Sequence, residues 1–197
     1  MPKIVDFDKK KQEIMEESID VFVQKGYYGT KLSDISDRCG MGRTTLYQYF
    51  KNKDEIFEFA IKNISSRLED DCKNIIDDDS ISAVDKINMI VEILTRRGEK
   101  EKNMIIIMID LWLMLKRKNN TIPGKLNEHV SKLRRIFNQL LEEGVAKKQI
   151  RQVNIQSMAF ALYALVESFI LQTTFAGNIT FEESLKSLRI LIDGLRL

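Results

Sequence analysis

Residues 26–57 read GYYGTKLSDISDRCGMGRTTLYQYFKNKDEIF, and this stretch decides the fold. Thr30 is placed to cap a short helix that turns Leu32 and Ile35 inward and ends at Cys39-Gly40. A second short helix starts near Gly42 and ends about Tyr49-Phe50. Two helices separated by Cys39-Gly40-Met41 match a helix-turn-helix, whose tight turn favours glycine. From Arg38 through Lys53 the cations Arg38, Arg43, Lys51 and Lys53 meet no acidic residue. Arg43, Thr44, Thr45, Tyr47, Gln48 and Tyr49 supply the hydrogen-bonding groups of a helix that enters a major groove. A basic surface on a generic helical protein would show the same charge. The order of glycine, hydroxyl and aromatic residues carries the argument further.

Outward from this stretch the chain is a succession of helical patterns. Upstream, residues 9–25 place Met15, Ile19, Phe22 and Val23 on one stripe, and Gly26 stands at the C-terminal glycine position. Downstream, Asn52 opens a fourth helix to about Ile76, with Asp54 and Glu55 at its positive end. Asp77-Asp78-Asp79 reads as a solvated turn, because consecutive side chains point in different directions. Ser80 or Ser82 begins a helix ended by Gly98, and an apolar helix follows over residues 100–118. After Pro123-Gly124 come helices over about 125–146, 154–175 and 181–195, the last opened by a Thr180/Glu183 capping box. No segment alternates with period two, so the expected fold is all-α. An N-terminal three-helix helix-turn-helix domain (residues 1–53) is expected to precede a C-terminal helical bundle (residues 54–197).

Composition excludes several function classes. The chain has 197 residues, a net charge of +2, one histidine and two widely spaced cysteines, Cys39 and Cys72. No disulfide framework or Cys/His cluster is present, and a reducing cytoplasmic setting is expected. His129 lies among polar neighbours and lacks a second histidine for a metal site, so neither metal nor cofactor is expected. The apolar run 104–115 is interrupted by Asp110 and falls short of the roughly twenty residues a membrane span requires. No nucleophile–base constellation and no glycine-rich phosphate loop supports an enzyme.

The order of residues in the opening stretch resembles the DNA-binding segment of the TetR family. The matching elements are the Gly26-Tyr27-Tyr28 turn, Thr30, Ile35-Ser36, Cys39-Gly40, Thr45-Leu46-Tyr47-Gln48-Tyr49-Phe50 and Lys53-Asp54-Glu55. Ser36 and Cys39 replace common alanines and are small enough to fit; Gly42 replaces the usual serine and is a tolerable cap. The resemblance implies that Thr30, Tyr47 and Lys53 contact phosphates while Arg43, Thr44, Thr45 and Gln48 approach base edges. Leu46 and Phe50 read as core, and Tyr49 suits either packing or backbone contact. It also implies a homodimer on a palindromic DNA operator, with recognition helices about 34 Å apart.

In the remaining chain, the helix over 154–175 has two apolar faces, and a small domain readily covers one. Phe160, Ala164, Leu171 and Phe175, with Leu185, Leu188 and Ile192 of the last helix, are the candidate subunit interface; a helix central to its own bundle would look the same. Met104, Met108, Trp112 and Met114 offer soft walls to an apolar ligand, with Phe137 and Tyr163 as further wall candidates. Core packing suits these residue types equally. Asp110 and Glu167 are the polar oddities, fit to anchor a polar or cationic group, to pair with an arginine or to face solvent. The function expected is a repressor released by a small, largely apolar effector, with the fourth helix as lever. The alternative is a DNA-binding regulator without a small-molecule ligand, controlled by a protein partner.

Overall fold

A computed structural model describes residues 6–117, 124–175 and 180–197, with backbone only for Trp112, 114–117, 124–127 and 129. The expectations for the side chains of Trp112, Met114 and His129, and for the Pro123 turn, lie outside the described residues. Among the described residues nine helices follow one another: α1 (Phe7–Lys25), α2 (Leu32–Arg38), α3 (Arg43–Tyr49), α4 (Lys53–Ile76), α5 (Ala83–Lys100), α6 (Lys102–Arg117), α7 (Gly124–Ala146), α8 (Ile155–Phe175) and α9 (Phe181–Asp193). Among the described residues there is no strand, only one antiparallel bridge between Ile150 and Arg196. The all-α expectation therefore holds.

Local chemistry sets the helix ends. Asp6 caps α1 by accepting from the Lys9 amide at 3.2 Å, and Gly26 leaves that helix at φ 72°, a left-handed conformation that a side chain would strain. Asn52 accepts from the Glu55 amide at 2.8 Å ahead of α4, and Ser82 accepts from the Asp85 amide at 3.2 Å ahead of α5. Two sequence expectations are corrected. Gly98 does not end α5, which continues to Lys100; the position is buried and suits glycine because a Cβ would stand 2.6 Å from Ile170. Thr180 and Glu183 meet side chain to side chain, at 2.6 Å, instead of each capping a backbone amide.

The chain divides into two compact units. One comprises residues 1–64 and 103–126, the other residues 65–102 and 127–197. In the first, Ile14, Phe22, Ile35, Leu46, Phe50 and Ile56 form a buried core that also takes Met104, Ile107 and Leu111 from α6. The Lys11 ammonium lies 5.1 Å above the Phe50 ring and 5.7 Å above Phe59, a cation–π arrangement that ties α1 to the start of α4. In the second, α5 packs against α8 and α9, and its residues Val84, Ile87, Ile90 and Val91 join Phe137, Leu140, Leu162 and Val166 in the core.

That second core holds one charge. Lys86 is 1% exposed, and its ammonium donates to the Ile76 carbonyl at 2.8 Å and to Glu143 at 3.1 Å. These partners offset the cost of burying the cation and tie the end of α4 to α5 and α7. Burial acts to raise the Glu143 carboxyl, but bonds from Lys147 and Lys86 outweigh it and hold the group below its ordinary value of 4.5. Its stabilising contribution is therefore complete above that value and is lost as pH falls through the lower, folded-state value. Lys86→Met should cost about 2–3 kcal/mol in urea unfolding at neutral pH, because it leaves a buried carbonyl unpaired. The same variant should show a flatter acid limb when unfolding is repeated below pH 4.5.

Candidate nucleic-acid interface

α2 and α3 are short, and neither would persist alone in water. They are held by three anchors on the inner side: Ile35, Leu46 and Phe50, each at most 1% exposed. Gly40 makes the turn between them at φ 62°, and the Met41 amide donates to the Ser36 carbonyl at 3.0 Å to close it. With Leu46 turned inward, the helical period turns Arg43, Thr44, Thr45, Tyr47 and Gln48 outward, and all five are exposed. The result is a rigidly backed helix whose outer face carries a guanidinium, two hydroxyls, a phenol and an amide. Such a face can donate to phosphates and to base edges.

Four of the residues singled out from the sequence sit elsewhere. Thr30 is 2% exposed; its hydroxyl donates to the Gly26 carbonyl at 2.8 Å, and Lys31 instead precedes α2, its amide donating to Asp34 at 2.8 Å. The Lys53 ammonium donates to the carbonyls of Tyr27, Tyr28 and Thr30 at 2.7, 3.1 and 3.0 Å. All three of its hydrogens are thereby used within the fold, and burial pulls its pKa below the ordinary lysine value. Arg38 pairs with Glu17 at 2.7 Å and Asp20 at 3.3 Å on α1, so its charge is compensated. Tyr49 is half-buried and stacks on Phe7 with centroids 4.8 Å apart. Of the four cations in the basic stretch, Arg38 is held by carboxylates and Lys53 by backbone carbonyls, whereas Arg43 and Lys51 have no ion pair among the described residues.

The turn below this face is built with unusual care. The Tyr27 ring is buried against Phe22 and Phe57, and its hydroxyl donates to Asp54 in the first turn of α4. Burial, with that carboxylate beside it, pushes the phenol well above its ordinary pKa and keeps it a donor. From α6, the Asp110 carboxylate accepts from the Tyr27 amide at 3.4 Å. Nothing in the sequence near Asp110 points to a partner 83 residues upstream.

Residues 14–60, which span this arrangement from α1 into α4, match the family of bacterial regulatory proteins known as the tetR family. Over these residues the chain is similar to the DNA-binding domain of the TetR family. It is 24% identical over 147 residues to the fatty acid metabolism regulator protein of Bacillus subtilis, covering 73% of this chain and 72% of that one. A putative fatty acid metabolism regulator of Clostridium perfringens has the same fold, with a TM-score of 0.75 at 21% identity over 93% of this chain and 98% of that one. The transcriptional regulator FadR of Bacillus subtilis, solved in complex with stearoyl-CoA, matches with a TM-score of 0.72 at 18% identity, over 92% of this chain and 96% of its own.

The candidate effector residues fall in both units. Met104 is buried in the first core and Met108 packs on it, while Asp110 is exposed and faces the Tyr27 turn. Phe137 is wholly buried in the second core. Tyr163 is buried too, and burial with the Glu167 carboxylate nearby raises its phenol above the ordinary value. Desolvation raises the Glu167 carboxyl against the opposing pull of the Tyr163 hydroxyl and the Arg134 charge.

The outer face of α8 is apolar and open. Ala159, Leu162, Tyr163 and Val166 face the core, whereas Phe160, Leu165, Leu171 and Phe175 are exposed, Phe160 at 60% and Phe175 at 65%; Ala164 is half-buried. On α9 the structure places Leu185, Leu188 and Ile192 in the subunit's own core, and the exposed apolar residues there are Ile190 and Leu191. The sequence period identified a stripe on α9, but not which stripe the core takes. A groove of about 320 Å³ between the two helices is lined by Leu165, Phe169 and Leu191. α8 is long and apolar enough to cross a membrane, with mean hydropathy 1.4; its apolarity has a local explanation in these two faces.

Substitutions separate the roles at the reading head. Tyr47→Ala should weaken duplex binding at least tenfold, measured by fluorescence anisotropy, and leave the melting temperature within a degree or two, since the side chain is 56% exposed. Lys53→Ala should instead destabilise the protein by about 2 kcal/mol, because three carbonyls lose one charged donor. Its DNA affinity should fall with that loss of fold.

Proposed function

We propose that this chain is a transcriptional repressor that binds a palindromic operator as a homodimer in the cytoplasm and is released by a small, largely apolar effector. The observation that carries the reading is α3: a polar, donor-rich outer face on a helix fixed from behind by Leu46 and Phe50. A single seven-residue helix contacts too few base pairs to select a site. Two copies solve this, and the exposed apolar face of α8 with Ile190 and Leu191 of α9 supplies a surface for pairing. Arg43, Thr44, Thr45 and Gln48 read bases in this scheme, and Tyr47 with Lys51 holds phosphates. Lys53 and Thr30 act indirectly, by holding the turn.

The effector class is drawn from the likeness to a regulator solved with stearoyl-CoA. An acyl thioester joins a long apolar chain to a phosphorylated carrier, which fits an effector of largely apolar character. Binding shifts the pair toward a spacing of recognition helices that the groove repeat does not accommodate. Linkage then requires operator DNA to weaken effector binding by the same factor.

Selection from a random duplex pool with purified protein, at near-physiological salt, tests the first half. A palindrome should emerge with half-sites about one helical turn apart. Leu191→Glu should give a monomer in sedimentation and lose that selectivity. Titrating the selected duplex with long-chain acyl-CoA tests the second half. Release of DNA, with acyl-CoA bound more weakly when operator is present, is the expected outcome; equal affinity with and without operator would falsify the two-state mechanism.

A further inference from the structure

Helix α6 gives the first unit more than Met104, Ile107 and Leu111, the residues that close its core. Two exposed polar side chains, Asn103 and Asp110, stand about two helical turns apart on it and so share one face. The Asn103 amide donates to Asp20 on α1 at 3.3 Å. The other oxygen of that carboxylate accepts from Arg38, also at 3.3 Å, and Arg38 is the last residue of α2. Further along α6, Asp110 accepts from the Tyr27 amide at 3.4 Å, in the turn that leads into α2. A Cβ at Gly26, where that turn takes its left-handed conformation, would stand 3.6 Å from the same carboxylate.

Two polar lines thus run from one helix to the two ends of α2. A single attachment leaves a short helix free to swing about it, whereas one at each end fixes its direction. The apolar strip of α6 between them adheres without direction. α3 follows α2 through the Gly40 turn, closed by the Met41 amide on the Ser36 carbonyl, and takes its attitude from α2. Both α6 side chains are exposed, so removing either takes no volume from the core and strands no buried charge.

We propose that Asn103 and Asp110 are positioning residues for DNA binding, which hold α2 and the outer face of α3 in the attitude a duplex requires without touching DNA themselves. The inference rests on the reading of α3 as the base-reading helix and adds to it two residues, outside the helix-turn-helix, that orient it. Without either contact the helix pair samples further attitudes, and apparent affinity falls with the fraction that stays competent. The sign of the effect is diagnostic. By charge alone, removing a carboxylate tightens binding to a polyanion; removing a positioning group weakens it.

Fluorescence anisotropy of the full-length protein with the duplex recovered by selection, over a series of salt concentrations, tests this. Asp110→Ala and Asn103→Ala should each weaken binding about fivefold, as the competent fraction falls, with melting temperatures within a degree or two of the parent protein. The slope of log affinity against log salt should not change, since no phosphate contact is lost. Asp110→Asn keeps the acceptor and loses the charge, and should bind as tightly as the parent or more so. In the free protein, amide exchange at Tyr27 followed by NMR should quicken in Asp110→Ala, while Leu46 keeps its rate. Binding by Asp110→Ala and Asn103→Ala that equals or exceeds the parent's would overturn the positioning role and leave the DNA-binding reading intact. Equal weakening by Asp110→Ala and Asp110→Asn would overturn it too, because the acceptor survives in the second. Asn103→Ala, judged on affinity and salt slope, decides the matter if Asp110→Ala fails to fold. A parent protein that selects and binds no duplex would fail the DNA-binding reading itself, and the positioning role with it.

Discussion

Three backbone carbonyls converge on one ammonium group at the turn that follows α1. Lys53 supplies one hydrogen to each of the carbonyls of Tyr27, Tyr28 and Thr30 in that tight loop. The same lysine lies 4.8 Å over the Tyr27 ring, whose hydroxyl in turn is held by Asp54. The loop is therefore fastened to the first turn of α4 by charge, by ring and by hydrogen bond at once. Because α2 begins two residues after Thr30, and α3 rests on α2, the attitude of α3 is inherited from this one knot. Buried anchors such as Leu46 and Phe50 give α3 its adhesion, but apolar contact is non-directional; the polar knot supplies the direction.

Much of this was legible in the sequence, and the failures have physical causes. Element existence followed from apolar period and from end signals such as Asn52, Ser82 and Gly26, because these act within a few residues of where they stand. The outward set Arg43, Thr44, Thr45, Tyr47 and Gln48 followed once Leu46 was taken as inward. What the sequence left ambiguous was the destination of long or polar side chains. Lys53 and Arg38 looked like groups for DNA since nothing nearby in sequence competes for them; their partners, the carbonyl of Tyr27 and Glu17, lie 26 and 21 residues away, whereas Thr30 is taken by the Gly26 carbonyl four residues before it. Gly98 looked like a stop because the helix rule is local, whereas its reason is Ile170 on another helix. On α9, period alone gives two apolar sides, and the choice between core and surface was settled by α5, against which the helix packs.

The second unit divides its apolar surface unevenly. Phe137, Leu140 and Val166 are packed out of water, yet Phe160, Phe175, Ile190 and Leu191 stand in it. Leaving large apolar groups exposed forgoes burial worth roughly 1.5–3 kcal/mol for each side chain. A subunit that keeps such a face is less stable alone than it could be, and the difference is available to association. Pairing through α8 and α9 would convert it into affinity, so fold stability and protomer concentration become coupled.

The reading head is not a contiguous piece of chain. Its core is closed by Met104, Ile107 and Leu111 of α6, after an excursion through residues 65–102 that belongs to the other unit. The chain passes between the units at 64–65, at 102–103 and again at 126–127. A head excised at residue 64 would carry an open apolar trough where α6 belongs, and a head transplanted onto a foreign body would need that body's helix to fill the same space. Exchange of the first unit alone is blocked by connectivity, because it cannot be cut free without taking residues 65–102 of the second along.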